Sequence, residues 1–276
     1  MFIPFLCFLS LRWYHYTILK RSVKESTMPS KIGICRLSNP VYPESIENVC
    51  QALEKEGHLV KITPYLSEDV DGKTRAAHLN RWFQEDFDFI FDVSGGDIAN
   101  ECIPYIDLLA YQKSPCIFCG YSDLTCVLNA LGLKKKTLLF QVRHHEPMQE
   151  VLDLANKDFS IAYTDQAYIG GNIRCFLKLA GTEYFPNLEG RSLFLESYSG
   201  NRYRIRSYLA QLEMMHVFSS IDSLLLGQFT ELDQNQDREW LIDWGRQFNI
   251  PVSHTSLIGH APTSKALWIG QDSVTL

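Results

Sequence analysis

A chain of 276 residues, 46% of them hydrophobic and 21% charged, is long enough to bury a core in one large or two modest domains. Its formal net charge of −6 excludes the strongly basic class of nucleic-acid-binding proteins, so no nucleic acid is expected as a partner. Most of its eight cysteines lie in apolar runs, which favours buried, reduced thiols and a cytoplasmic protein.

The first 28 residues stand apart from the rest of the chain. The apolar run at residues 1–11 has no basic segment before it, is broken by Arg12, and is followed by no small-residue cleavage site. It therefore predicts neither a secretory signal nor a spanning helix, and no membrane partner is expected. We expect residues 1–28 to be a disordered leader or an extension ahead of a true start at Met28.

Apolar runs and amphipathic segments alternate in residues 29–150. Four strands are predicted, at 31–37, 59–62, 89–93 and 116–119. Three helices are predicted, at 45–56 with Ser45 as its N-cap, at 73–83 and at 122–131. This alternation is typical of a parallel sheet covered by helices, in which ligands bind beyond the carboxyl ends of the strands. Residues 29–150 are therefore predicted to form an N-terminal α/β domain.

The periodic pattern weakens from residue 134 to residue 165, and the domain boundary is placed near residues 145–165. Lys134-Lys135-Lys136 is interpreted as a solvated patch. Arg143-His144-His145-Glu146 has residue types that bind metals, but adjacent histidines point in different directions on a strand or a helix. These four are therefore interpreted as surface residues, followed by a helix at 148–156.

Residues 166–276 are predicted to form a smaller C-terminal α/β domain. Its helices are predicted at 173–180, 203–217 and 237–248, and its strands at 191–196, 223–227, 251–253 and 265–269.

The segment Pro115–Thr125 contains the clearest candidate for chemistry. Gly120 allows a tight reversal after the predicted strand, which would place Ser122 at the strand-to-helix corner. There the Ser122 hydroxyl would be exposed and the backbone N–H of Asp123 would point to where an oxyanion forms, as in a nucleophile elbow. The alternative is that Ser122 only caps its helix, and this segment alone favours the cap.

Four further motifs accompany this segment in a fixed order. They are Ser94-Gly95-Gly96-Asp97, which runs on into Ile103-Pro104-Tyr105, then Gly170-Gly171-Asn172, Leu193-Phe194-Leu195-Glu196 and Ile258-Gly259-His260. With these motifs in register, residues 29–276 resemble the LD-carboxypeptidase family of serine peptidases. That family includes the microcin C self-immunity (MccF-like) peptidases.

The resemblance implies a flavodoxin-like N-terminal domain that carries the nucleophile elbow, and a smaller, swivelling-type C-terminal α/β domain. It implies a catalytic triad of Ser122 as nucleophile, Glu196 as acid and His260 as base, in the cleft between the domains. A serine nucleophile needs a base within hydrogen-bond reach and a group that orients the base, so no cofactor and no metal are implied.

The resemblance also assigns the residues around the triad. The backbone N–H groups of Gly96 and Asp123 are implied to form the oxyanion hole, and Gly95, Asp97 and Tyr121 to bind substrate.

The other histidines and the cysteines offer weaker candidates. His58 and His78 lie on predicted surface elements, and His216 lies inside a predicted helix, whereas His254 shares with His260 a loop between strands. The Cys116–Cys119 pair lies in a predicted strand and has no second pair to complete a zinc site.

The resemblance suggests three functions, namely hydrolysis of one of two substrates or binding without catalysis. The first substrate is murein tetrapeptide, which loses its terminal D-alanine through cleavage of an L,D-peptide bond in cytoplasmic peptidoglycan recycling. The second is a peptidyl- or aminoacyl-nucleotide, whose cleavage gives resistance to microcin C. A catalytically silent binding homologue is the third hypothesis, and the complete set of serine, glutamate and histidine argues against it. A homodimer is compatible with each.

Departures from the family pattern bear on the substrate. Gly95-Gly96-Asp97 resembles the MccF-like branch, and Ser94 replaces an arginine that many carboxypeptidase members carry. The segment 145–170 is short and has no tryptophan, whereas MccF-like members stack a tryptophan on the nucleotide there. Murein tetrapeptide is therefore expected, and its free carboxylate needs a pocket that is cationic or rich in N–H groups.

Overall fold

The structure is a computed structural model, and it describes residues 28–271. The predicted leader therefore lies outside the described residues, apart from Met28. Within the described part of the chain, no helix has both the length and the apolar character to cross a bilayer.

A single sheet of ten strands runs through residues 28–271. The strands are β1 (Lys31–Cys35), β2 (Leu59–Ile62), β3 (Phe89–Asp92), β4 (Ile117–Gly120), β5 (Thr137–Leu139), β6 (Ala162–Asn172), β7 (Ser192–Ser197), β8 (Ser223–Phe229), β9 (Val252–His254) and β10 (Ala266–Ile269). Their order across the sheet is β2-β1-β3-β4-β5-β10-β6-β7-β8-β9. Strand β10 pairs antiparallel with β5 and parallel with β6, and the other pairs are parallel.

Helices connect and cover these strands. The α-helices of the described chain are α1 (Glu47–Lys55), α2 (Gly72–Phe83), α3 (Leu108–Lys113), α4 (Thr125–Gly132), α5 (Met148–Ala155), α6 (Ile173–Phe176), α7 (Arg202–Met214), α8 (Thr230–Gln234) and α9 (Arg238–Gly245). Short 3-10 helices lie at Pro43–Ser45, Ala99–Tyr105, Ser122–Leu124, Leu177–Leu179 and Val217–Ser219. The order β2-β1-β3-β4-β5 of the first half is that of flavodoxin-like folds, so the predicted α/β class is confirmed.

The central strands of both halves of the sheet are buried. Phe89, Ile90 and Phe91 of β3 are each at most 1% exposed, as expected for a parallel strand covered on both faces. Burying an apolar side chain of this size stabilises the fold by about 1.5–3 kcal/mol. The catalytic candidates therefore stand on a rigid support.

Strand β6 links the two halves of the sheet. Its residues up to Tyr168 pair with β10, and its residues 169–172 pair with β7. Gly170 and Gly171 have φ values of +100° and +132°, and a Cβ on Gly171 would lie 2.7 Å from Thr125 Oγ1. Only glycine lets β6 approach α4 so closely, and this contact joins the two halves behind Ser122.

Three predictions about local structure are wrong. Strands β5 and β6 were not predicted, because β5 is only three residues long and the first part of β6 is largely exposed. Ser45 ends the 3-10 helix that begins at Pro43, so α1 starts at Glu47 and Ser45 is not its N-cap. His216 follows α7 with a φ of +58° instead of lying inside that helix.

Several residues predicted on the surface are buried or held by other groups. His58 and His145 are 4% and 3% exposed. Lys135 Nζ donates to the carbonyl oxygens of Ser114 and Cys116, each at 2.7 Å. The interpretation of these residues as surface or solvated residues is therefore wrong, because tertiary packing buries both imidazole rings and backbone carbonyl groups bind the Lys135 ammonium.

Candidate active site

The turn between β4 and α4 places Ser122 at a strained corner. Ser122 has a φ of +55°, in the left-handed region that non-glycine residues rarely adopt, at a cost of about 1–3 kcal/mol. A Cβ on Gly120 would lie 2.9 Å from Leu124 Cβ, so the turn needs glycine to close. Ser122 is the first residue of its 3-10 helix and not the N-cap, so the alternative of a capping serine is wrong.

A line of polar contacts runs from Ser122 into the protein. His260 Nε2 lies 3.3 Å from Ser122 Oγ, and His260 Nδ1 lies 2.7 Å from Glu196 Oε2. The Glu196 side chain is fully buried near the end of β7, and the His260 side chain is 11% exposed. A neutral His260 in this arrangement can accept the Ser122 proton at Nε2 while Nδ1–H donates to the carboxylate.

Two tyrosines hold the His260 ring. The Tyr121 ring packs edge-on at 4.6 Å between centroids, and the Tyr198 ring packs against it at 4.9 Å. Burial, and then the charge of Glu196, raise the pKa of Tyr121, so its hydroxyl stays protonated and donates to the Gly259 carbonyl. Tyr121 thereby connects the turn after β4 to the loop that carries His260.

The loop at residues 258–264 is fixed by short hydrogen bonds. Ser264 Oγ donates to the Gly259 carbonyl at 2.8 Å, and the Ala261 N–H donates to Gln228 Oε1 at 3.1 Å. A Cβ on Gly259 would lie 2.3 Å from Gln228 Cβ, so the close approach of this loop to β8 requires glycine.

The Asp123 side chain points away from the cleft and into the core. Its carboxylate accepts from Ser38 Oγ at 2.6 Å and from the Ala99 N–H at 2.9 Å, and it is paired with Lys178 Nζ. The first N–H groups of a helix have no partner within the helix. The Asp123 N–H, at the start of the 3-10 helix, is therefore available to a ligand at Ser122.

The glycine pair after β3 lies beside Ser122. A Cβ on Gly95 would be 4.0 Å from Ser122 Oγ. Gly96 has a φ of +129°, and a Cβ there would lie 2.2 Å from the Asn39 side chain. Arg174 donates to the Gly96 carbonyl at 2.8 Å and forms an ion pair with the exposed Asp97, which fixes this turn.

Two cavities meet at the Ser122–His260 pair, and both are lined in part by Ser122, His260 and Tyr198. The first, here the Arg143 cavity, has a volume of about 320 Å³ and is also lined by Asp92, Val93, Ser94, Gly95, Tyr121, Gln141, Val142, Arg143, His144 and Pro262. The second, here the Arg174 cavity, has a volume of about 360 Å³ and is also lined by Gly96, Asp97, Asn172, Arg174, Ser197, Ser199, Arg204 and Tyr208.

Asp92 forms the floor of the Arg143 cavity at the end of β3. Its Oδ1 accepts from Ser94 Oγ at 2.5 Å and from the Ser94 N–H at 2.8 Å. Burial raises the pKa of Asp92 to about 6, although these hydrogen bonds favour the charged form.

Sequence reasoning missed part of this site. The structure brings Ser122, Glu196 and His260 together, with Tyr121 against the His260 ring. It also places Arg143 in a cavity beside Ser122, although Arg143 was interpreted as a surface residue. The available signal was its position just beyond the carboxyl end of β5, where parallel sheets bind ligands, but β5 itself was not predicted.

Family models match both halves of the chain. Residues 32–141 match the LD-carboxypeptidase N-terminal domain, and residues 167–274 match the LD-carboxypeptidase C-terminal domain. The chain belongs to the LD-carboxypeptidase family. It is therefore a hydrolase of the serine-peptidase class, and the resemblance found in its motifs is confirmed.

One relative of this chain is a Bacillus subtilis (strain 168) protein named "Probable murein peptide carboxypeptidase". It is 24% identical, over 87% of this chain and 86% of its own length. A crystal structure of muramoyltetrapeptide carboxypeptidase from Oxalobacter formigenes superposes with a TM-score of 0.73 at 20% identity, over 87% of this chain and 93% of that one. The self-immunity protein MccF in complex with aspartyl sulfamoyl adenosine superposes with a TM-score of 0.73 at 19% identity, over 88% and 92%. At these identities the two structures establish the shared fold.

Metal ligands do not cluster in the described chain. Within residues 28–271, no three His, Cys, Asp or Glu side chains are placed to hold a metal ion.

Proposed function

We propose that this protein is a serine carboxypeptidase that cleaves the L,D-peptide bond of murein tetrapeptide and releases the terminal D-alanine, in cytoplasmic peptidoglycan recycling. The observation that carries the proposal is the line of contacts from Ser122 Oγ through the His260 ring to Glu196, at 3.3 Å and 2.7 Å. A hydroxyl, an imidazole and a carboxylate in this order form the working unit of a serine hydrolase.

Each member of the triad has one role in the reaction. Ser122 Oγ attacks the scissile carbonyl carbon while its proton passes to His260 Nε2, and Glu196 stabilises the imidazolium that forms. The C–N bond then breaks as Nε2 returns the proton to the leaving amine of D-alanine. Water, deprotonated by His260, hydrolyses the acyl-enzyme and restores the Ser122 hydroxyl.

The oxyanion is stabilised by two backbone N–H groups, those of Asp123 and Gly96. The start of the 3-10 helix at Ser122 provides the first, and the glycine turn after β3 provides the second. Removing one oxyanion-hole donor typically costs about 10²–10³ in kcat. Gly95, Asp97 and Tyr121 line the two cavities and contact the bound peptide.

A second candidate is hydrolysis of a peptidyl- or aminoacyl-nucleotide, as in microcin C resistance. The side chain of Tyr198 favours it, because this ring is 59% exposed beside His260 and can stack on a base. Stacking on an aromatic side chain contributes about 1–3 kcal/mol per base. MccF, which shares the fold, was solved with aspartyl sulfamoyl adenosine.

Mass spectrometry of products distinguishes the two candidates. The wild type is incubated separately with murein tetrapeptide and with an aminoacyl-sulfamoyl adenylate, and Ser122→Ala serves as the control. We expect release of D-alanine, with tetrapeptide preferred by at least about tenfold in kcat/KM, or about 1.4 kcal/mol. Cleavage of the adenylate with no D-alanine released would contradict the proposed substrate and leave the triad in place.

A further inference from the structure

The Arg143 cavity contains a cation with no counter-ion in direct contact. Within the described chain, Arg143 is the only lysine or arginine that lines this cavity, and it forms no ion pair. Its Nε atom is buried and has no hydrogen-bond partner in the structure. The two Nη groups are not buried in this way, so they can donate to an anion in the cavity.

The other cations near Ser122 are already paired or exposed. Arg174 is bound to Asp97 and to the Gly96 carbonyl, and Lys178 is bound to Asp123. Arg204, which lines the Arg174 cavity, lies on the exposed face of α7. The two cavities thus differ, because only the Arg143 cavity presents a half-buried guanidinium with no carboxylate in direct contact, since Asp92 acts on Arg143 through its charge alone.

The loop that carries Arg143 is fixed to the loop that carries His260. The Glu146 N–H donates to the Pro262 carbonyl at 3.0 Å. His145 Nε2 lies 2.7 Å from Glu150 Oε2, and Lys265 Nζ lies 3.1 Å from Glu150 Oε1. Arg143 is therefore held in a constant relation to the catalytic base, as a group that selects substrate should be.

We propose that the Arg143 cavity receives the leaving residue and that Arg143 binds its free carboxylate. This assignment deepens, and rests on, the proposed carboxypeptidase activity. The guanidinium can bind a carboxylate through two parallel N–H···O hydrogen bonds donated by its Nη1 and Nη2 groups. The acyl part of the peptide then occupies the Arg174 cavity, whose own arginine is neutralised by Asp97. Arg143 is thus a specificity residue that limits cleavage to the last peptide bond.

Binding to a protein that cannot turn over tests this assignment directly. Calorimetry on Ser122→Ala compares murein tetrapeptide with the same peptide carrying a C-terminal carboxamide. We expect the free acid to bind at least about tenfold more tightly than the amide, as a charge-assisted bidentate contact implies. In Ser122→Ala/Arg143→Gln the two peptides should bind equally, and Arg143→Lys should restore part of the preference.

Charge and folding are controlled separately. Arg206→Gln removes an equal charge from an exposed position of α7 outside both cavities and should leave the preference unchanged. Thermal unfolding verifies that each variant is folded. If Arg143→Gln does not fold, the ratio of the affinities for the free acid and the carboxamide, measured in Ser122→Ala and in the Arg143→Lys variant, still tests the role of Arg143.

The outcomes separate this assignment from the proposed activity. No preference in Ser122→Ala, binding of neither peptide, or a preference that survives Arg143→Gln would overturn the role of Arg143. If the wild type released D-alanine but the free acid bound no more tightly than the carboxamide, the proposed activity would hold and the role of Arg143 would not. An Arg143-dependent preference with no D-alanine released would support the carboxylate site and overturn the proposed reaction.

Discussion

The nucleophile corner and the acid–base pair each contain a fully buried carboxylate, and the two are partnered very differently. Asp123, beside the nucleophile, is bound by Ser38, the Ala99 N–H and Lys178. Glu196 is bound through Oε2 to His260, while its Oε1 has no hydrogen-bond partner among the described residues.

This difference indicates a structural role for Asp123 and a role in the proposed reaction for Glu196. A buried charge whose hydrogen bonds are satisfied holds the structure around it, and removing one partner of such a pair is costly. A buried charge that is half satisfied is retained for another reason, and in the proposed mechanism Glu196 is retained because it stabilises the imidazolium that forms. Substitution of Asp123 should therefore change stability, whereas substitution of Ser122, His260 or Glu196 should change rate.

Ser122→Ala should give the largest effect. The change removes the proposed nucleophile, and loss of a triad member costs about 10⁴–10⁶ in kcat. The free energy of unfolding should change by less than about 1 kcal/mol, because the Ser122 hydroxyl faces a cavity. Steady-state assays on the peptide that the wild type cleaves, with chemical denaturation, measure both.

The double variant Ser122→Ala/His260→Ala tests whether the residues act as a unit. It should lose little activity beyond either single variant, because neither residue is useful without the other. His254→Ala, on the exposed strand β9, is the matched histidine control and should have a mild effect. A Ser122→Ala variant with more than about a tenth of wild-type activity would remove Ser122 from the mechanism.

Glu196→Gln should slow the reaction by about 10⁴, as with the loss of the orienting carboxylate in other triads. The amide disturbs the tautomer and orientation of His260 and cannot stabilise its cation. Stability should stay within about 1 kcal/mol of wild type, since one carboxylate oxygen is already without a partner. A large loss of stability with normal kcat would place Glu196 with Asp123 as a structural residue.

Asp123→Ala, unlike Glu196→Gln, should have a large effect on the free energy of unfolding. It leaves Lys178 without its counter-ion and should cost about 3–5 kcal/mol, measured by urea denaturation. Asp97→Ala, which breaks the more exposed pair with Arg174, is the matched control and should cost less than about 1 kcal/mol. Equal costs for the two variants would mean that burial does not distinguish these pairs.

The sequence predicted which residues meet at this site better than it predicted the residues that support them. The turn at Gly120 and the order of Ser122, Glu196 and His260 are local or motif-based signals. The pairing of Asp123 with Lys178 joins residues 55 positions apart and leaves no local pattern. Arg143 was misplaced for the same reason, because its position depends on β5 and on the antiparallel insertion of β10 beside it.

Fold prediction failed where tertiary contacts override local pattern. The first part of β6 has alternating exposed residues and no long apolar run, yet it is a strand because β10 pairs with it. The alternating β-α series of the first half was predicted because each of its strands is an apolar run bounded by turn residues.

Asp92 is a third buried carboxylate. Its substitution should have the smallest effect of those considered, a change in the free energy of unfolding that depends on pH. Burial raises its pKa from an ordinary 3.8 to about 6, with the Asp123 charge adding to the rise and with Arg143 as the facing cation. Because the folded state binds this proton more tightly than the unfolded state, the contribution of Asp92 to stability is complete below pH 4. It is lost as the pH rises through 6, by about 3 kcal/mol. The difference in unfolding free energy between wild type and Asp92→Asn, measured by urea denaturation from pH 4 to pH 7, should fall by that amount. A difference that stays flat over this range would show that Asp92 is ionised throughout, with its hydrogen bonds from Ser94 outweighing burial.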